Sequence, residues 1–190
     1  MSRLLASALV VALLQIGFLS WVITGRAAIL RNGTEVLLRI EPVDPRDLLR
    51  GDYVQLAYGI SNLPVRLIAD RSPDAALSAG EAIKVRLAKS ADGTWEAVAA
   101  YLGEPSAEPG PEQADIAGQV LYDWVPDPDG AVPVSYGIER FYLPEGEGRA
   151  IETDTRARPF TMVVAVAEDG TAQIKALMDG QARLYEEPFY

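Results

Sequence analysis

The sequence predicts a mainly β domain, built of antiparallel hairpins, behind a single N-terminal transmembrane helix. Three observations carry this. Residues Leu4 to Gly25 form an uncharged, strongly apolar run between Arg3 and Arg26. After Arg26, five Asn-Gly or Asp-Gly dipeptides punctuate short apolar stretches; these are the preferred central residues of tight hairpin turns. The same region contains no long stretch of helical amphipathic period, so its apolar residues suit strands rather than helices.

The apolar run comes first. Its 22 residues would extend about 33 Å as a helix, enough to cross a hydrocarbon core. Trp21 stands near its far end, where an interfacial indole is expected. A cleaved signal peptide is the alternative. The run is longer than a signal-peptide core, and Arg26 interrupts the small residues around Gly25, Ala27 and Ala28, so an uncleaved anchor is expected. The expected domains are therefore 1–26 as the anchor and 27–190 as an exported β-rich domain. Residues 4–25 would contact the bilayer, with the N-terminus inside and the domain in the periplasm or outside the cell.

Composition narrows the function. The 190 residues contain no Cys and no His, which removes disulfides, thiol nucleophiles, His-based triads and His metal sites. Arg3 and Arg26 are the only charges in residues 1–26, so the remaining chain sets 15 basic against 27 acidic residues, a formal charge of −12. Such a surface repels nucleic acid and anionic lipid head groups, and no nucleic acid is expected as a partner.

Asn32-Gly33 is a hairpin-turn signal, and Glu35 to Glu41 after it reads as a first strand. Asp44, Pro45 and Gly51 then fit the start and stop of one or two helical turns over residues 45–50. From Tyr53 the period changes to two, with Val54, Leu56 and Tyr58 on one face. Ser72, Pro73 and Gly80 suggest a second short helix by the same logic. Residues 83–102 form a hairpin around Asp92-Gly93. The acidic, Pro/Gly-rich stretch 103–113 joins two halves, 27–102 and 114–190. In the second half, strands are expected over 116–124 and 131–143, a hairpin over 162–178, and a final strand near 182–186.

The octet Gly51-Asp52-Tyr53-Val54-Gln55-Leu56-Ala57-Tyr58 resembles the defining pattern of the bacterial GDYxxLxY family of membrane-anchored proteins, through Gly51, Asp52, Tyr53, Leu56 and Tyr58. The resemblance implies membrane association and a partner among multi-span membrane proteins. It implies no particular reaction. A turn-plus-strand signature more often specifies a fold than a site.

The halves also resemble each other. Leu56-Ala57-Tyr58-Gly59-Ile60 matches Val134-Ser135-Tyr136-Gly137-Ile138, and Ala91-Asp92-Gly93-Thr94 matches Glu168-Asp169-Gly170-Thr171. Duplication of a β-unit, giving a barrel or sandwich, and convergent use of Asp-Gly turns both explain this. Under duplication, a cleft shared by the halves is the natural binding site, with Tyr142 and Glu145 near Tyr58 on its rim. No cofactor or metal site stands out: Asp123, Asp127 and Asp129 lack the spacing of a calcium loop. The expected role is binding, as an accessory to a multi-span membrane protein. The alternative is a carboxylate-dependent hydrolase acting on envelope polymers.

Overall fold

A computed structural model of the protein describes residues 2–41, 53–69, 75–125, 127, 130–142 and 160–187. Helix α1 spans Ser2–Asn32, so it runs past Arg26 and ends against the β domain. Its turn from Leu4 to Ile23 is fully solvent-facing, whereas Ala27 and Leu30 are buried. The asymmetry is physical: the first segment has no protein partner, and the last two turns pack on sheet residues.

Twelve strands follow among the described residues: β1 Thr34–Glu41, β2 Tyr53–Gln55, β3 Ala57–Tyr58, β4 Asn62–Pro64, β5 Ala82–Lys89, β6 Trp95–Tyr101, β7 Gln113–Val120, β8 Ala131–Ser135, β9 Arg140–Tyr142, β10 Phe160–Val166, β11 Ala172–Asp179 and β12 Ala182–Glu186. They form two five-stranded sheets, ordered β12-β11-β10-β1-β3 and β4-β8-β7-β5-β6, and a two-stranded ribbon, β2-β9. All pairings between these strands are antiparallel. The inner faces share one core, including Val36, Leu38, Val85, Ile116, Val132 and Met162. The structure is thus mainly β with one apolar N-terminal helix, and no closed barrel is found among the described residues.

The strand pairing repeats within the chain. Tyr53↔Tyr142 in β2-β9 corresponds to Ala131↔Pro64 in β8-β4, and Gln55↔Arg140 corresponds to Pro133↔Asn62. Glu41↔Ala57 in β1-β3 corresponds to Gln119↔Ser135 in β7-β8. Each correspondence is a shift of 78 residues. The two Asp-Gly hairpins match with a shift of 77, down to the β-bulge, which falls between Arg86 and Leu87 in one and Val163 and Val164 in the other. A bulge is a specific device that inserts an extra residue into one strand. Turn chemistry alone does not explain bulges, registers and turns recurring together, so the repeat is one of whole β-units.

The units are interleaved. β1 of the first half pairs with β10 of the second, and β7 of the second pairs with β5 of the first. Each five-stranded sheet therefore draws strands from both halves. Near the pseudo-twofold axis the bonds are reciprocal. Leu56 N–H donates to Glu139 C=O, and Val134 N–H donates to Ser61 C=O, both at 2.8 Å. Tyr58 Oη donates to Ile138 C=O at 2.7 Å, and Tyr136 Oη to Ile60 C=O at 2.8 Å.

Two local expectations need revision. Asn32-Gly33 closes the helix instead of opening a hairpin: Gly33 N–H bonds Ile29 C=O at 2.8 Å. Gly is required there for space, since a Cβ would lie 2.7 Å from Ile29 O and 3.0 Å from Val166 O. The described part of the second short helix, residues 75–80, is not helical. The Leu77 N–H and C=O pair with Trp124 instead, and Gly80 turns the chain at φ 83°. The helical turns expected over 45–50 lie outside the described residues.

Candidate functional site

Leu56 and Tyr58 are buried, and Tyr58 is wholly inaccessible. Its phenol is pushed up from its ordinary pKa, first by burial and then by the negative charge of Glu139; Tyr136 is raised by the same two causes. Tyr58 N–H also donates to Ser61 Oγ at 3.0 Å, and Tyr136 N–H to the Glu139 carboxylate. These two motif residues hold the axis of the fold and are closed to ligands.

Tyr53 lies at the other end of the strand, directly opposite Tyr142 in the β2-β9 ribbon. Directly paired positions on antiparallel strands stand about 5 Å apart. The repeat places Ala131 and Pro64 at the corresponding positions, so the tyrosine pair marks one end of the molecule and not the other. Gly51 and Asp52 directly precede Tyr53, and Glu145 soon follows Tyr142; all three lie outside the described residues. The sequence thus brings Tyr53 and Tyr142 together as neighbours, whereas Tyr58 turns into the core behind them.

Two grooves flank the last turns of α1. One, of about 680 Å³, includes Lys84, Glu104, Asp115 and Asp169 in its lining. Several of its charges are engaged: Lys84 Nζ meets Glu104 at 2.6 Å, and Asp115 accepts both a Nε–H and a terminal N–H of Arg86 at 2.8 Å. Asp169 accepts the Thr171 N–H at 2.8 Å, which holds its carboxyl below the usual carboxylate range. The second groove, about 660 Å³, runs from Ile23 and Arg26 of the helix to Arg140, Phe141, Tyr185 and Glu187. Phe141 and Tyr185 meet edge to face, ring centres 4.9 Å apart. This contact shows how far the first sheet curls, since Phe141 follows from one edge and Tyr185 lies on the other.

Sequence reasoning missed this second groove. Its residues are scattered over 160 positions of chain, and only the curl assembles them. Of the Asp123, Asp127 and Asp129 set, Asp123 accepts the Ala79 N–H at 2.8 Å, and Asp129 lies outside the described residues. No group of three metal-ligating side chains occurs among the described residues.

An apolar helix long enough to span a bilayer, fused to a duplicated antiparallel β domain, defines a class of single-helix, β-rich proteins suited to membrane attachment. The chain belongs to the GDYXXLXY protein family, whose profile matches residues 15–177. Neither the curated proteins nor the solved structures provide a match.

Proposed function

We propose that this protein is a single-pass accessory subunit of the bacterial inner membrane, with its N-terminus inside and its β domain in the periplasm or outside the cell. There it binds a multi-span membrane protein and catalyses no reaction. The observation that carries this reading is the junction between helix and domain. Lys175 Nζ reaches the Leu30 C=O at 3.1 Å, in the last turn of α1, and Glu35 at 2.6 Å. A cation at a helix C-terminus satisfies orphan carbonyls and the helix dipole together. With Gly33 bonded back to Ile29, and Ala27 and Leu30 buried, no flexible tether separates helix from sheet. A module held so closely to the bilayer is placed to grip a neighbouring membrane protein, and a freely diffusing ligand would not require it.

The Tyr53–Tyr142 end, with Gly51, Asp52 and Glu145 attached, is the surface we assign to that partner. There the repeats differ in residue type, Tyr53 and Tyr142 against Ala131 and Pro64, and aromatic residues are enriched in protein interfaces. The hydrolase alternative gains no support from Asp115, Asp123 or Asp169, each held by the bonds above. Affinity purification from detergent-solubilised membranes, with and without crosslinker, tests the proposal. Recovery of a multi-span protein, lost in a Tyr53→Ala/Tyr142→Ala variant, is the expected result. Recovery of a lone monomer under both conditions would overturn it. Protease shaving of spheroplasts tests the orientation: the β domain should be degraded.

A further inference from the structure

We propose that the groove between α1 and the curled first sheet binds the headgroup of an anionic phospholipid. This rests on the membrane-spanning role proposed for α1. The placement follows from length. The apolar run from Leu4 to Gly25 covers about 33 Å, close to the thickness of a hydrocarbon core, so residues just beyond it lie among the headgroups. The helix wall of the groove is Ile23, Arg26, Ala27 and Leu30, which starts inside that run and leaves it. Because the helix end is fixed to the sheet by Gly33, Lys175 and Leu30, the groove cannot swing away from the membrane surface.

The charge is the second observation. Residues 27–190 carry a formal −12, which on average repels an anionic surface. Yet among the described residues Arg26 and Arg140 both line this groove, beside one carboxylate, Glu187. Guanidinium groups are suited to phosphodiester oxygens, which they meet with paired N–H donors. Below them Ile23 offers an apolar wall continuous with the lipid-facing helix, and Phe141 and Tyr185 close the far side. The site therefore presents cations where a phosphate would lie and apolar surface where an acyl chain would begin. A groove of about 660 Å³ is of the size that holds a small-molecule ligand.

The experiment uses the full chain, floated with vesicles of phosphatidylcholine alone or mixed with phosphatidylglycerol. It is then extracted in detergent, and the lipid retained per protein is measured by native mass spectrometry. The wild type should float with both vesicle types and retain phosphatidylglycerol in preference to phosphatidylcholine. Arg26→Gln combined with Arg140→Gln should weaken that retention about 25-fold, since each arginine near an anionic lipid surface contributes about fivefold. Arg26→Gln alone should weaken it in part; Arg26 is exposed on a helix, so this variant keeps the fold. Inorganic phosphate in solution should not displace the lipid. Flotation with both vesicle types but equal retention of the two lipids, or undiminished retention in Arg26→Gln and the double variant, would overturn the headgroup site and leave the membrane span standing. Failure to float with either would overturn both.

Discussion

At the scale of single residues, the two tyrosines at the pseudo-twofold axis make the same bond twice. Each phenol donates to a carbonyl of the opposite repeat, Tyr58 to Ile138 and Tyr136 to Ile60. Replacing either with Phe keeps the ring and leaves a buried carbonyl unsatisfied, at a cost of about 1–3 kcal/mol. Tyr58→Phe and Tyr136→Phe should therefore destabilise the fold by similar amounts in urea unfolding. The raised phenol pKa values add a pH signature. Both groups ionise later in the folded state than in the unfolded chain, so their contribution is complete below about pH 10 and declines above it, by about 1.4 kcal/mol per pH unit for each tyrosine. The double Phe variant should show a correspondingly flatter alkaline limb. Arg86 and Asp115 supply a second residue-scale test. They form a two-pronged pair with little solvent exposure, and Arg86 also lies 5.5 Å from the centre of the Tyr101 ring. Asp115→Ala would strand a buried cation, at a cost of about 3–5 kcal/mol. A thermal midpoint within a degree or two of wild type would contradict this.

Elements show which parts of the fold are written locally. The hairpins β5-β6 and β10-β11 were legible because an Asp-Gly turn carries its own instructions: Asp92 and Asp169 each accept the N–H of the Thr two residues on, and Gly93 and Gly170 adopt φ of 88° and 92°. The same local signal misled at Asn32-Gly33, where a helix end and a close approach to β10 call for the same residue as a tight turn. The segment around Leu77 misled for the opposite reason. Its Pro and Gly punctuation suits a helix, but pairing with Trp124, 47 residues away, satisfies its backbone instead. Of the candidate site, the Leu56 and Tyr58 face was readable from alternation alone. The Tyr53–Tyr142 pairing was not, because strand partners are chosen by non-local packing. The hairpin glycines give an element-scale prediction. Ala at either position must adopt a left-handed backbone, at about 1–2 kcal/mol. At Gly93 the new methyl meets nothing within 4 Å, whereas at Gly170 it would lie 2.9 Å from Ala117 N. Gly170→Ala should thus cost about 1–3 kcal/mol more than Gly93→Ala, the penalty of overpacking. Equal melting temperatures for the two variants would show that the β10-β11 turn does not bear on β7.

For the whole molecule, duplication and interleaving have consequences that neither half alone would reveal. A tandem of independent β-units would keep its sheets separate, and the linker at 103–112 would be a hinge. Here β1 matches β10 over six register positions and β7 matches β5 over seven, so every large sheet contains a seam between the halves. The single-residue slip between the two offsets falls between Pro64 and Lys84 in one half and between Tyr142 and Phe160 in the other, so the registers on either side survive it. Interleaving also explains why one motif residue recurs in the second repeat and another does not. Residues at the axis, such as Tyr58, are needed by both repeats and are mirrored at Tyr136, whereas Tyr53 lies off the axis and is free to differ. The arrangement predicts that neither 27–102 nor 114–190 folds when expressed alone, since each lacks the strands that complete its sheets and would expose unpaired edges. A protease site inserted near Pro109, in an exposed part of the linker, tests this in the intact protein. After cleavage the two fragments should migrate together on a sizing column in native buffer, melt as one cooperative unit, and separate only in denaturant. Fragments that part without denaturant, or a 27–102 piece that melts cooperatively by itself, would show that the halves are autonomous after all.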